Sequence, residues 1–388
     1  MLPASSQPPP CVLAGCEGEV RRSVVLPTLG EFAPGAARCA QSPASLNSVN
    51  RRINAFYGEL QVPVIKNLDL QLAVRRDHYS DFGSTTNPKV AARWAPLQQL
   101  VFRGSYSKGF HAPDFDALYG GDTVGQFNSD INDPVLCPTG LEPRGCGIPG
   151  KSNTNLKAEK SKQSSFGVLI QPMPWLSASV DFWKIDLTDR IGALSGQALI
   201  SRYNDFKQYV TRDANGDIID VTAPTFNLAG NRTRGADLNV TANWKTEIGQ
   251  FVASLDGTYT DSYQSRFSDA DPWVELVGKF GDTTNGFDLH LRWKHAANVT
   301  WLQGPWSATV SQNYSAPSRT DSYALYNLSA TYTGIKNLAV TAGIKNLFDT
   351  KPPYSNHNID NVAGAGWDAR VGDPRLRSFI LRVNYKFF

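Results

Sequence analysis

The chain has 388 residues, 41% of them hydrophobic and 19% charged, a balance that excludes both a disordered chain and a bundle of membrane helices. Its 38 basic and 35 acidic residues leave a net charge of +3 with no basic run or aromatic-interleaved basic patch, so nucleic acid is not an expected partner. No apolar run reaches the roughly 18 residues of a spanning helix, which leaves a bilayer location open only to a closed barrel.

Residues 1–50 are rich in Pro, Ala and Ser, show no sustained period, and are expected to be irregular or poorly ordered. Cys11 and Cys16 are spaced too widely for a C-x-x-C pair and have no His cluster nearby, so no metal site is expected there. Met1 to Pro10 lacks the basic and apolar regions of a secretory signal. That pattern suits either a cytoplasmic chain or one whose true amino terminus is missing.

Within residues 51–388 the pattern changes to alternation that recurs in stretch after stretch. Phe56, Gly58, Leu60 and Val62 begin it, and Leu68, Leu70, Leu72 and Val74 continue against Asp69, Gln71 and Arg75. Val90, Ala92, Trp94 and Leu100, Phe102, Tyr106 follow, then Phe166, Val168, Ile170 and Leu176, Ala178, Val180, Phe182. Further on lie Ala236 to Trp244, Phe251 to Tyr259, Trp293 to Trp301, Trp306 to Val310, Tyr326 to Tyr332 and Leu338 to Ile344, each with a period of two. The last stretch sets Phe379, Leu381, Val383, Tyr385 and Phe387 against Ser378, Arg382, Asn384 and Lys386, with Ile380 out of place. Taken alone it reads equally as a membrane strand or as an edge strand of a soluble sandwich. About 13 strands are expected, and the 32 Gly, 24 Pro and 11% aromatic content suit such an all-β chain.

The connections alternate between two kinds. Short turns are expected at residues 63–67, 95–97, 171–175, 245–250, 303–305 and 333–337, and long ones at 108–162, 189–232, 261–291 and 350–376, with smaller members of the long set near 80–86 and 315–322. An outer-membrane barrel has this asymmetry, with short periplasmic turns and long extracellular loops, whereas a soluble sandwich has no reason for it. If the terminal strand descends into the periplasm, the first of 13 also descends, and an odd number of strands is then expected to be absent upstream.

Val101-Phe102-Arg103-Gly104-Ser105-Tyr106-Ser107-Lys108-Gly109-Phe110-His111-Ala112-Pro113 resembles the strand and G-F-x-A-P loop of TonB-dependent outer-membrane receptors. Asn155 to Ser161 resembles that family's N-x-x-L-K-P-E-x-S element, with Ala158 in place of Pro, and residues 179–186 resemble the strand that follows it. Arg234-Gly235-Ala236-Asp237 and Lys345-Asn346-Leu347-Phe348-Asp349 are similar to its R-G-x-D/E and N-L-F-D phrases, so the resemblance covers roughly residues 52–388 in family order.

The resemblance implies an all-β fold, an antiparallel transmembrane β-barrel of which this chain supplies about 13 of a probable 22 strands, without the amino-terminal plug. It implies uptake of a scarce small-molecule ligand such as a siderophore or cobalamin, energised through TonB. The implied location is the bacterial outer membrane, with outer-membrane lipid and the barrel assembly machinery as further partners. A passive porin and a soluble all-β binding protein are the alternatives.

His111, Asp114, Asp116 and Tyr119 lie where a loop leaves a strand, at the extracellular rim of this topology, and are the candidate ligand contacts, with loop packing as the competing reading. Cys137 and Cys146, close together in a long loop, are a candidate disulfide for an oxidising compartment. Residues 213–217 lack the later Glu of a calcium loop, and their Asn-Gly reads as a hairpin turn. The five His are dispersed, no nucleophile and base stand at a useful spacing, and neither a metal, a cofactor nor an enzyme is expected. Trp94, Trp175, Trp244, Trp301, Trp306, Tyr332 and Tyr385 cluster near the short turns as an interfacial girdle, which places Arg93, Asp181, Asn239 and Thr341 toward a lumen.

Tyr385, Phe387 and Phe388 form the expected assembly signal, and the resemblance puts the recognised terminal aromatic at Phe387. Deleting Phe388 is therefore expected to leave membrane insertion intact or improve it, measured as the folded fraction in isolated outer membranes. Abolished insertion would move the signal to Phe388.

Overall fold

The computed structural model describes residues 11–17, 22–24, 49–120, 122–125, 148–193, 199–200, 202–212, 214, 216, 218–279, 289–316, 322–354, 366–367 and 372–387. Among them no helix is long and apolar enough to cross a membrane, and the architecture is an antiparallel sheet. Its strands in chain order are β1 (Cys11–Glu17), β2 (Ile53–Ile65), β3 (Leu68–Tyr79), β4 (Gly83–Leu97) and β5 (Leu100–His111). After a long excursion come β6 (Glu159–Met173), β7 (Leu176–Ala193), β8 (Ala223–Thr246) and β9 (Gly249–Arg266). The set ends with β10 (Trp293–Gln303), β11 (Trp306–Ala316), β12 (Tyr323–Ile335), β13 (Leu338–Lys345) and β14 (Ser378–Tyr385). Each pairs antiparallel with the next, and three short strands, Asp122–Gly125, Ile148–Lys151 and Val274–Glu275, bring the sheet to 17.

Six connections are tight turns, at residues 66–67, 98–99, 174–175, 247–248, 304–305 and 336–337, all at one end of the sheet. Gly304 and Asn337 sit there at φ 54° and 63°, the left-handed backbone such turns demand and that Gly and Asn tolerate. The other end carries the excursions between β5 and β6, β7 and β8, β9 and β10, and β13 and β14, together with the three-residue turn between β3 and β4 and the short connection between β11 and β12. The strands expected from Ile53 onward are all present.

Two expectations are corrected. β1 forms inside the segment expected to be irregular, laid along β2 from Cys11 opposite Gln61 to Glu17 opposite Ala55. With it the sheet has 14 long strands, an even set, so the argument from an odd count no longer holds. The sheet is an open arc: among the described residues no ladder joins β1 to β14.

Directly opposed residues of neighbouring strands share a face, so the register defines continuous rows. One row runs Leu72, Val90, Tyr106, and another runs Phe182, Ala236, Tyr259, Trp293. A third near the tight turns runs Trp244, Phe251, Trp301, Ala308. Many large apolar side chains on this face are exposed, Val90 at 48% and Phe182 at 56% in these rows, and Leu381 at 72% and Phe379 at 76% on β14. A contiguous exposed apolar face of this size fits a sheet whose solvent is lipid. Stacked Trp94–Phe102 and Trp244–Phe251 pairs, both with centroids 5.5 Å apart, edge it at the tight-turn end, and Trp301 Nε1 donates to the Ile248 carbonyl at 2.6 Å. This is the expected girdle.

The opposite face is polar and cross-linked. Thr331–Thr341, Ser177–Thr241, Thr300–Thr309 and Asn298–Ser254 are bonded at 2.6 to 2.9 Å. Asn239 donates to Asp256. Arg103 reaches two strands across to Asp181, with Nε to Oδ1 at 2.6 Å and Nη2 to Oδ2 at 2.5 Å. The strand between them offers Gly167, where a Cβ would stand 1.9 Å from Asp181 Oδ1. Gly167 is the gap through which the pair closes.

Gly167→Ala is therefore expected to cost about 1–3 kcal/mol, the usual range for overpacking. Gly104→Ala, whose Cβ would meet only the Ser165 carbonyl oxygen at 3.5 Å, serves as the near-neutral control. The check is the thermal midpoint of the detergent-folded chain, and equal midpoints for the two variants would refute the gap.

Candidate functional site

The polar face meets the excursions at the long-loop end, and two clusters form there. The first is built on the G-F-x-A-P loop. β5 delivers His111 to the polar face opposite Glu159, with Nδ1 3.2 Å from Glu159 Oε2. Glu159 also accepts the Ile191 amide at 2.7 Å, so its carboxylate ties three strands together beside the imidazole. Pro113 is fully buried, and its carbonyl accepts Arg51 Nη2 at 2.8 Å.

Arg51 is the hub of this corner. It bonds Asp81 at 2.7 Å and lies over Tyr79, Phe82 and Phe115 at 4.7 to 5.6 Å from their ring centroids. Asp114 precedes a single-turn helix α1 (Phe115–Tyr119), Asp116 lies in its first turn, and both are exposed. Leu118 anchors α1 and is 1% exposed, while the Asn153 amide donates to the Ala117 carbonyl at 2.8 Å. Tyr119 is half-buried at the helix end. His111, Asp114 and Asp116 are each exposed around this corner, which Arg51, Pro113 and Leu118 hold in place.

The second cluster sits on β11 to β14 around a 450 Å³ cavity lined by Ser311, Asn313, Asn327, Lys345, Asp373 and Arg375 among others. Its floor is the N-L-F-D turn. Asn346 takes φ 50°, is buried, donates Nδ2 to the Thr350 carbonyl at 2.8 Å and accepts the Thr350 amide at 2.8 Å. Asp349, at φ 56°, accepts the Arg377 amide at 2.9 Å and so fixes where β14 starts. Arg375 forks onto Asp373, with Nε to Oδ1 at 2.9 Å and Nη2 to Oδ2 at 2.6 Å, while its own side chain is 77% exposed. Arg375, helped by the more remote Lys345, holds the Asp373 carboxyl at about 2. Two cations around one carboxylate leave the cavity positive and suited to an anionic ligand.

The other candidates are placed as follows. Cys137, Cys146 and Phe388 lie outside the described residues, as do Asp213, Asn215 and Asp217. Val210–Arg212 and Ile218–Val221 pair as the expected hairpin, with Gly216 at φ 91°. Tyr385 ends β14 and meets Phe387 edge-on, with centroids 5.0 Å apart. His78 contacts Ser84, and His295 contacts Trp293 and Gln312. Among the described residues no group of three or more His, Cys, Asp or Glu is placed to hold a metal.

The profile of the family described as TonB dependent receptor-like, beta-barrel matches residues 21–347. A curated relative, the ferric enterobactin receptor PirA of Pseudomonas aeruginosa, is 23% identical over 345 residues, covering 86% of this chain and 41% of the relative. Among solved structures, a variant of the ferric enterobactin receptor PfeA of Pseudomonas aeruginosa superposes with TM-score 0.63 at 17% identity, covering 88% of this chain and 46% of that one. The siderophore receptor PirA of Acinetobacter baumannii gives TM-score 0.61 at 14% identity, covering 97% and 55%. The chain thus spans about half the length of the proteins it matches.

Because the folded Asp373 pKa is depressed from 3.8, the fork onto Arg375 is fully formed above pH 3.8 and is lost as pH falls through about 2. A carboxyl-carbon NMR titration of the detergent-folded chain is expected to show this midpoint, and Arg375→Ala to return it close to 3.8. An unchanged midpoint in the variant would refute the fork.

Proposed function

Since the chain belongs to the TonB-dependent receptor-like β-barrel family, we propose that it supplies barrel wall and ligand-facing rim to an outer-membrane receptor for a scarce ligand of the ferric-siderophore class. The apolar face then lies against lipid, the polar face lines the lumen, and the excursions lie outside the cell. The observation that carries the ligand reading is the pair of rim clusters on the lumenal face, one with His111, the other with Lys345 and Arg375 around an open cavity.

Cationic and hydrogen-bonding groups at a rim attract an anionic iron chelate and orient it before passage. The names of the relatives, which are siderophore receptors, support the same class. On this reading TonB energises uptake by the complete receptor, the assembly machinery inserts the barrel through its terminal strand, and His111, Asp114, Asp116 and Tyr119 form one side of the entry. The barrel does no covalent chemistry; its work is selection and passage. We further assign residues 51–388, with β1 laid along β2, to the barrel and Cys137 with Cys146 to a loop disulfide.

The test is a tryptophan-quenching titration of the detergent-folded chain with a ferric tricatecholate and a ferric trihydroxamate. Saturable quenching is expected with one of them, and His111→Ala and Arg375→Ala are each expected to weaken it about tenfold, a loss of about 1.4 kcal/mol. No saturable response to either chelate, or equal response to the iron-free chelators, would refute the siderophore class.

A further inference from the structure

Among the described residues, five that are not glycine take a positive φ: Asp189, Asn337, Asn346, Asp349 and Leu376. The first four are Asn or Asp, whose short polar side chains tolerate the left-handed region. Leu376, at φ 58°, is the exception. A bulky residue keeps this conformation only where its surroundings hold it there, and such strain collects at sites that work by placing a group.

Leu376 is held from both sides. Gly372 passes so close to Pro352 that a Cβ would stand 2.5 Å from the proline Cβ. The Asp373 carboxylate accepts the Arg375 amide at 3.1 Å, and Asp349 accepts the Arg377 amide at 2.9 Å. With residues 375 and 377 both fixed, Leu376 has to turn the chain between them. What the turn places is Arg375. Asp373 engages its Nε and Nη2, so Nη1 keeps its two N–H donors, with no protein partner among the described residues.

The side chain of Leu376 has a use of its own. It is half-buried and lines the 450 Å³ cavity together with Leu325 and Ile380. The register sets Leu325 opposite Asn313 and Ile380 opposite Gly343, so both lie on the polar side of the sheet. Ile380 is the residue that breaks the alternation of β14, and it stands 41% exposed beside a glycine that leaves it room. Three aliphatic groups thus share one cavity with Asn327, Lys345 and Arg375. A cavity with an aliphatic part and a cationic part is complementary to an anion carried on an apolar frame, whereas a fully hydrated anion gains nothing from the aliphatic part.

We propose that Leu376 determines the specificity of this cavity: its left-handed turn aims Arg375 at the anionic group of a ligand, and its side chain, with Leu325 and Ile380, meets the aryl or alkyl frame that bears the charge. This rests on the reading of the cavity as a ligand site and names the ligand chemistry that fits it. Backbone and side chain of one residue then do separable jobs. Asn keeps the left-handed turn and removes the aliphatic group, whereas Gly removes the group and also frees the backbone.

The test is an NMR shift titration of the detergent-folded full chain with phenyl phosphate and with inorganic phosphate, which share an anionic group and differ by an apolar ring. The parent is expected to bind phenyl phosphate about tenfold more tightly, the effect of a partly buried ring. Leu376→Asn, and separately Leu325→Asn/Ile380→Asn, are expected to bring that ratio close to unity with the binding of inorganic phosphate unchanged. Leu376→Gly is expected to weaken both ligands about fivefold and to raise the Asp373 midpoint from about 2 toward 3.8 as the fork loosens. Equal binding of the two ligands by the parent, an undiminished ratio in Leu376→Asn, or an Asp373 midpoint that stays at about 2 in Leu376→Gly would each overturn the proposal. So would a thermal midpoint that falls in Leu376→Asn while the ratio holds, since Leu376 would then be structural only. A phenyl phosphate preference without chelate quenching upholds this assignment and refutes the siderophore class, and chelate quenching without that preference does the reverse.

Discussion

A sheet that stands in lipid has nowhere to put an unpaired backbone group, and from that one constraint most of this chain follows. The strands from β2 to β13 are paired on both sides, and their side-chain period of two then has only two environments to sort. Large apolar residues go to one face and hydroxyls, amides and charged groups to the other, where they bond across strands. The register fixes every row at once, because a slip by one residue would exchange the faces along a whole strand. Only β1 and β14 are left with a free edge among the described residues.

The phrases that carried the family resemblance turn out to be staples of this framework. In Asn155 to Glu159, Leu156 and Ala158 are buried, and Lys157 is clamped by Asn227, which accepts its amide and donates to its carbonyl, both at 2.8 Å. Asn346 and Asp349 bend the chain after β13 and aim β14. Pro113 is buried under Arg51. A family signature built from loop anchors therefore identifies the barrel and carries no statement of its ligand.

The difference between what the sequence discloses and what it hides has the same root. Thirteen strands were legible because a buried or lipid-covered face forces alternation that the eye can count. β1 was not, since Cys-Val-Leu-Ala-Gly-Cys-Glu places small or apolar residues on both faces and leaves no period to read. Arg51 was hidden because a lone arginine in sequence does not announce that Asp81, Pro113 and three aromatic rings will converge on it from elsewhere in the chain. Of the candidate ligand residues, His111 acquired a definite partner in Glu159. Asp114 and Asp116 are defined only by their exposure.

Whether Arg266 joins Lys184, Arg232 and Arg234 on the outward face depends on a single inserted residue that no pattern marks. Up to Tyr259 the odd positions of β9 face outward, but the ladder skips Asp261, pairing Gly235 with Thr260 and Arg234 with Ser262. Beyond this bulge the even positions face outward, so Arg266 joins the outer cluster while Ser265 is buried and Tyr263 accepts a bond from Asn231 Nδ2 at 2.7 Å on the inner side. Without the bulge Tyr263 and Ser265 would take the outward places and Arg266 would turn inward. The freed residue is itself used, since Asp261 becomes the partner of Arg234. Above the apolar band both faces are polar, so a change of parity leaves no hydrophobic trace in the sequence, yet it decides which charges meet the lipid surface and which meet the lumen.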